Sequence, residues 1–312
     1  MHFLGIKWDN KQKIPYIKYK DNSSDIAEKY LKLEQNKRLT ITIEEEKYCI
    51  GFYEPLNYLR APCNNISKIE TEEYSQCNIC RLKDSTYFLP LNVLNYEQIK
   101  LLKTQPHLNY INIFGKDIIK IGIAAKVRKF TRILEQGAIA TIFFTDTDGY
   151  ISRILESLLS KKLNIKQAVM WDTKIKNLRN ISEDSDAYNE LEKIYKQIKD
   201  IFPLEYQKSM LLQPEYYFNF NYYGIKISDN LSSIKLLNKF SSNDVISGVV
   251  IGIYGEIIFI KDNHSEDVYG TNTKSLLGYI ITISDKDSSM KLKNEPKLIQ
   301  FPTIQFEKLS LF

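Results

Sequence analysis

Apolar residues recur along this chain with two periods, and the switch between them marks its elements. Alternation of period two appears early, as in Leu39-Thr40-Ile41-Thr42-Ile43, between polar turns. From residue 106 to about 165 the pattern predicts strand, strand, helix, strand, helix: Tyr110 to Phe114, Ile118 to Ile123, Val127 to Gln136, Ala140 to Thr145 and Tyr150 to Leu163. Gly115-Lys116-Asp117 supplies the turn between the first two strands. Between Ser182 and Phe202, Ala187, Leu191, Ile194, Tyr195, Ile198 and Phe202 fall at helical spacing, and Pro203 stops the run. Tyr216 to Ile227, Val245 to Ile260 and Leu276 to Ile283 are β-branched or aromatic and are punctuated by Gly248, Gly252, Gly255 and Gly278. That texture predicts a small C-terminal barrel or sandwich.

The expected class is therefore α+β, in four parts: a β-rich N-terminal segment over 1–105, a small α/β core over 106–165, a helical connector over 166–215 and a β-rich domain over 216–312. Subdivision suits a chain of 312 residues, because a single core stops growing at roughly 250 to 300 residues.

All four cysteines lie in the first part: Cys49, Cys63, and the pair Cys77-Asn78-Ile79-Cys80. Two thiolates two residues apart can grip one zinc ion from a turn, and two more from a loop complete a tetrahedron. Such a closed site leaves no coordination position for substrate, so its role is structural. The competing readings are a redox pair at Cys77 and Cys80, or plain burial. No window approaches the roughly 20 apolar residues of a bilayer span, and the opening MHFLGIKWDN lacks the pattern of an export signal. A cytoplasmic location without membrane partners follows, where thiols stay reduced and metal is favoured over disulfides.

The apolar share of 43% and charged share of 26% are those of a globular protein. A net charge of +5 permits a polyanionic partner without proving one. Positive residues do cluster on the first predicted core helix, at Lys126, Arg128, Lys129 and Arg132, and again at Lys161, Lys162 and Lys166. The run Tyr216-Tyr217-Phe218-Asn219-Phe220-Asn221-Tyr222-Tyr223 offers rings on which bases can stack. Gly248, Gly252 and Gly255 precede a strand and not a helix, which argues against a phosphate loop. None of the three histidines, His2, His107 and His264, sits in a nucleophile-elbow pattern.

The order Tyr110, Lys120-Ile121-Gly122, Arg128, Glu156 resembles the GIY-YIG nuclease domain. In that domain two short strands carry the triplets, a following helix an Arg and a later helix a metal-binding Glu. The resemblance covers about 60 residues. It implies Tyr110 in proton transfer, Arg128 on phosphate charge and Glu156 as a magnesium ligand. Lys120 stands in place of the second Tyr, and Leu108 and Asn109 replace the first triplet's Gly and Ile. A Lys does not readily act as a general base at neutral pH, but it can contact a phosphate. A broader similarity, carried by Cys49 with Gly51, Pro62-Cys63, Gln76-Cys77-x-x-Cys80, Lys120-Ile121-Gly122, Glu135-Gln136-Gly137-Ala138 and the Gly252 to Phe259 segment, is to the uncharacterised family called domain of unknown function 2797. Gln136-Gly137-Ala138 is expected to stop a helix with Gly137 at positive φ.

The leading expectation is a zinc-containing nucleic-acid-binding protein, RNA ahead of DNA, with Lys120, Lys126, Lys129 and Arg132 on phosphates. The alternatives are a magnesium-dependent endonuclease using Tyr110, Arg128 and Glu156, and a zinc-stabilised scaffold that binds a protein partner through the 182–202 helix.

Overall fold

The computed structural model describes residues 1–23, 25, 27–54, 59–71, 73–178, 184–219 and 231–301. The first strands are β1 (His2–Trp8), β2 (Pro15–Lys20), β3 (Lys29–Lys32) and β4 (Arg38–Lys47). The cysteine segment holds the short strands β5 (Phe52–Tyr53) and β6 (Arg60–Ala61) and the helices α1 (Asn78–Lys83) and α2 (Ser85–Phe88). Next come α3 (Tyr96–Thr104), β7 (Pro106–Ile113), β8 (Ile119–Ala125), α4 (Lys129–Gln136), β9 (Ala140–Thr145), β10 (Thr147–Asp148) and α5 (Gly149–Leu163). The connector supplies α6 (Trp171–Lys176) and α7 (Asp184–Ile201). The chain then forms β11 (Met210–Phe218), β12 (Ser233–Leu237), β13 (Val245–Tyr254), β14 (Ile257–Lys261), β15 (Val268–Asn272), β16 (Tyr279–Ser284) and β17 (Lys297–Gln300).

Helices and strands are mixed, as the α+β class requires, but the chain is not partitioned as its sequence suggests. One ten-stranded sheet runs β17-β12-β15-β14-β13-β4-β16-β1-β2-β3, so β4 lies between β13 and β16 and β1 pairs with β16. The expected boundaries near 105 and 216 thus cut across a single sheet. Among the described residues the C-terminal strands continue through β4 and β16 into β1, β2 and β3, and no pairing joins the end strands β17 and β3. The physical reason is that β4 buries Ile41 and Ile43 completely and needs a hydrogen-bonding partner along each edge. The C-terminal strands provide both.

The second sheet has β8, β7, β9 and β11 side by side, all antiparallel, with β10 continuing beside the start of β7. Its hairpin, helix, strand and helix follow the expected order, and the strand Ala140–Thr145 has the expected bounds. β7 is buried along nearly its whole length. Ile111, Ile113 and Ile121 share a core with Leu155 and Leu159 of α5 and Leu191 and Ile198 of α7. Leu108, Tyr110, Ala124 and Phe143 instead gather around Ile133 of α4. The polar residues in β7 are satisfied locally: the Asn109 amide donates to the Ser152 carbonyl at 2.9 Å and accepts from Thr145 Oγ1 at 2.8 Å. Of the aromatic run, Phe220, Asn221, Tyr222 and Tyr223 lie outside the described residues. So do Ser182 and the segment 220–227 of the strand expected over Tyr216 to Ile227. α3 and α6 have no counterpart among the expected elements, although Asn95 and Gln98 form a capping box at the start of α3.

The two sheets meet where α4 ends. Gly137 adopts φ +70, as the Gln136-Gly137-Ala138 reading expects. Against it lies the β13–β14 turn, whose Gly255 has φ +61 and whose carbonyl accepts the buried Trp8 indole N–H at 3.1 Å. A Cβ on Gly255 would stand 2.8 Å from the Glu135 carbonyl oxygen and 2.4 Å from the Trp171 ring. Gly255→Ala should therefore destabilise the protein by more than about 2 kcal/mol in chemical denaturation, because it adds left-handed strain to a backbone collision. A loss under about 0.5 kcal/mol would mean that this contact does not hold the sheets together.

Candidate functional site

Two groups of chemically capable side chains stand out. The first is formed by the cysteines. Cys49 follows β4, Cys63 follows β6, and Cys77 and Cys80 sit at the start of α1. Their four Sγ atoms all lie within 4.8 Å of one another, and all four thiols are free. Cys63 Sγ and Cys77 Sγ are 3.8 Å apart, far beyond a disulfide bond and close to the edge of a tetrahedron with metal–sulfur bonds of about 2.3 Å. Burial pushes the Cys49 thiol above its usual value, and backbone N–H groups of Gly51 and Cys77, donating to its Sγ at 3.4 and 3.2 Å, work against that rise. The set fits a zinc ion, as its spacing suggests.

The lobe around these thiols is stitched together internally and is held to α5 by one arginine. The Ile50 N–H donates to the Ser75 carbonyl at 3.0 Å, and Cys49 N–H to Ser67 at 2.9 Å. Asp84 accepts from the Tyr53 N–H at 2.8 Å and from the Gln76 amide at 2.7 Å. Arg153 of α5 reaches over to donate to the carbonyls of Thr86 and Leu89.

The second group surrounds Gln136, the last residue of α4. Its amide nitrogen donates to the Tyr110 hydroxyl at 2.9 Å. Its amide oxygen accepts from Asn112 Nδ2 and from Lys120 Nζ, each at 3.1 Å. Its backbone carbonyl accepts from the buried Lys174 Nζ at 2.7 Å. Tyr110 and Gly122 are cross-strand partners, and a Cβ on Gly122 would meet the Tyr110 hydroxyl at 2.5 Å. Only a glycine leaves room for that ring.

Tyr110 is completely buried, and burial pushes its phenol upward. Burial also raises the Glu156 carboxyl above its ordinary range, against the pull of Lys120, Arg153 and Arg132. Lys120 is drawn down to about 8 by burial and by the nearby Arg132. The guanidinium acting on both Tyr110 and Glu156 is thus that of Arg132. Arg128, to which that part was assigned from sequence, directs a terminal nitrogen at both oxygens of Glu135, at 3.1 and 2.9 Å, and lies 5.5 Å from the Tyr53 ring.

The expected phosphate contacts are also engaged within the molecule. Lys126 pairs with Asp146 and Lys129 with Glu215, while Lys120 is held by Gln136. Arg128 and Arg132 do share one feature: with Tyr53, Tyr87 and His107 they line a hollow of about 180 Å³ between the core and the cysteine lobe. Burial alone would raise the Tyr53 phenol, but the guanidiniums of Arg60 and Arg128 outweigh it and pull it below its usual value. Tyr53 and Gln136 were absent from the sequence-derived set. The Glu135-Gln136-Gly137-Ala138 motif flagged Gln136 only as a helix stop, and nothing in the spacing pointed to Tyr53.

A family model described as a protein of unknown function, DUF2797, matches residues 36–281. The chain belongs to the DUF2797 family. The match takes in all four cysteines, the Gln136 cluster and the β13–β14 turn. No curated protein and no solved structure matches this DUF2797 chain. Among the described residues, no helix is long and apolar enough to cross a membrane.

If the thiols hold zinc, elemental analysis of the purified DUF2797 protein should find one ion per chain. Cys80→Ser should abolish it and destabilise the cysteine lobe by more than about 3 kcal/mol, since binding energy at such sites is folding energy. Metal-free protein as stable as the native form would contradict this.

Proposed function

We propose that the protein binds nucleic acid by seating a backbone phosphate in the hollow beside Arg128 and Arg132, with zinc holding the lobe that forms its far wall. The observation that carries this reading is the presence of two guanidiniums on one hollow about 180 Å³ in volume. Arg forks match phosphate oxygens in geometry and charge. Tyr53 stacks beneath Arg60 at 4.2 Å and so presents an aromatic, positively charged wall from the cysteine lobe. Lys126, exposed and tied to Asp146 by a surface pair, adds a cation that can exchange partners at little cost.

Binding without cutting is the reading favoured at Tyr110 and Glu156. The hairpin, the two helices and the approach of Tyr110 to Gly122 support a GIY-YIG-like arrangement. The chemistry around it has changed. Glu156 faces the cations of Lys120, Arg153 and Arg132, which compete with a divalent metal for the carboxylate. Tyr110 is sealed and its hydroxyl is held by Gln136, so it is poorly placed to move a proton to or from water.

Filter binding of tRNA, duplex DNA and single strands across a salt series tests this. Affinity should fall with rising salt, and the double variant R128Q/E135Q, which removes the ion pair as a unit, should weaken binding by about tenfold at unchanged stability. Absence of binding at low salt would end the reading. Magnesium-dependent cleavage that disappears in Glu156→Ala would replace it with the endonuclease.

A further inference from the structure

A different hollow, of about 510 Å³, opens where the cysteine lobe meets the large sheet, and it shares no lining residue with the one beside Arg128. Its floor is a cross-strand pair. Lys47 ends β4 and Tyr279 begins β16, and their register places the Lys47 ammonium 5.2 Å from the Tyr279 ring. Lys47 is 6% exposed, so its charge sits in the wall of the hollow and not on open surface. The ring is fixed at its far end, where the Tyr279 hydroxyl donates to the Phe240 carbonyl at 3.1 Å.

Two loops form the rim. One follows β12 and carries Lys239; the other follows β15 and carries Lys274. They are tied together by a hydrogen bond from the Asn272 amide to Asn238 at 3.0 Å. The remaining wall comes from the cysteine lobe, through Glu73 and Tyr74, and one face of Tyr74 is covered by the Arg81 guanidinium at 3.7 Å. Three ammonium groups therefore line the hollow against one carboxylate, Glu73, among the described residues. Lys274 shares its charge with Glu256 at 2.7 Å, just behind the rim.

Each property restricts the ligand. The excess of lysines selects an anion and disfavours a metal ion. The polar rim argues against a purely apolar molecule. The volume falls within the range of small-molecule sites, roughly 300 to 1,000 Å³, and far exceeds the needs of a lone phosphate. Tyr74 and Tyr279 supply aromatic surface for a planar ring.

We propose that this hollow binds a nucleoside phosphate, with its phosphate toward Lys239 and Lys274 and its base among the tyrosines. The proposal does not rest on the nucleic-acid reading above. The nucleotide is either free or one unit of a strand, and the same chemistry recognises both.

Calorimetric titration of the full-length, zinc-loaded protein with AMP, ATP, inorganic phosphate and a short single strand tests it. AMP or ATP should bind more tightly than inorganic phosphate. Lys239→Glu, on an exposed rim residue, should weaken nucleotide binding about tenfold, while Lys239→Arg should hold it within about twofold. R128Q/E135Q should leave AMP and ATP binding unchanged, which separates failure here from failure of the phosphate hollow. If only the strand binds and Lys239→Glu weakens it, the occupant is a nucleotide within a strand and the proposal stands. No binding by AMP, ATP or the strand, binding indifferent to Lys239→Glu, or phosphate binding as tightly as AMP would overturn it.

Discussion

A single side-chain amide organises the middle of this molecule. Gln136 is 7% exposed, and its three side-chain hydrogen bonds reach β7 twice, through Tyr110 and Asn112, and β8 once, through Lys120. Its carbonyl brings in Lys174 from α6. Four polar groups that burial would otherwise penalise are thereby satisfied at one point, and each fixes the others. The residue that follows, Gly137, turns the chain so that the end of α4 can receive the β13–β14 hairpin. The amide thus sets the geometry of the candidate site, and the glycine after it faces the contact through which the large sheet bears on the small one.

The same constraint accounts for the changed chemistry of the core. In a water-filled cleft a phenol beside a carboxylate and a lysine can take part in proton transfer. Here the phenol is capped by the amide, the lysine is drawn down to about 8 by burial yet still carries charge at neutral pH, and the carboxylate is surrounded by cations. Charge instead becomes accessible one turn of helix away, where Arg128 meets the cysteine lobe. The lobe is therefore more than an appendage. It supplies Tyr53 to one hollow and Tyr74 to another, so a metal held by its thiolates would steady one wall of each.

Much of this was legible in the sequence. The C-x-x-C pair with two further cysteines signalled a metal set, because ligand type and spacing are local properties. The hairpin, helix, strand, helix order of the core was legible from apolar period, and the αL residue after α4 from Gln136-Gly137-Ala138. Strand partners were not. Alternation in Leu39 to Ile43 tells which face is buried but not which distant strand lies beside it, so the pairing of β4 with β13 and β16 was invisible. The choice between Arg128 and Arg132 was equally hidden. They are four residues apart, and a 3₁₀ turn over Lys126–Arg128 before α4 decides which guanidinium faces Tyr110. The acidic partners of the basic stripe come from the β9–β10 link at Asp146, from β11 at Glu215 and from the far end of α4 at Glu135, and the first two pairings are set by tertiary structure.

The most direct measurement is chemical denaturation of Gln136→Leu, a change that keeps the bulk of the side chain and removes its amide. It strands the Tyr110 hydroxyl, Asn112 and Lys120 together. The account expects a loss of at least about 3 kcal/mol, from buried partners left without hydrogen bonds. A loss below about 1 kcal/mol would contradict the claim that this amide holds the site in place.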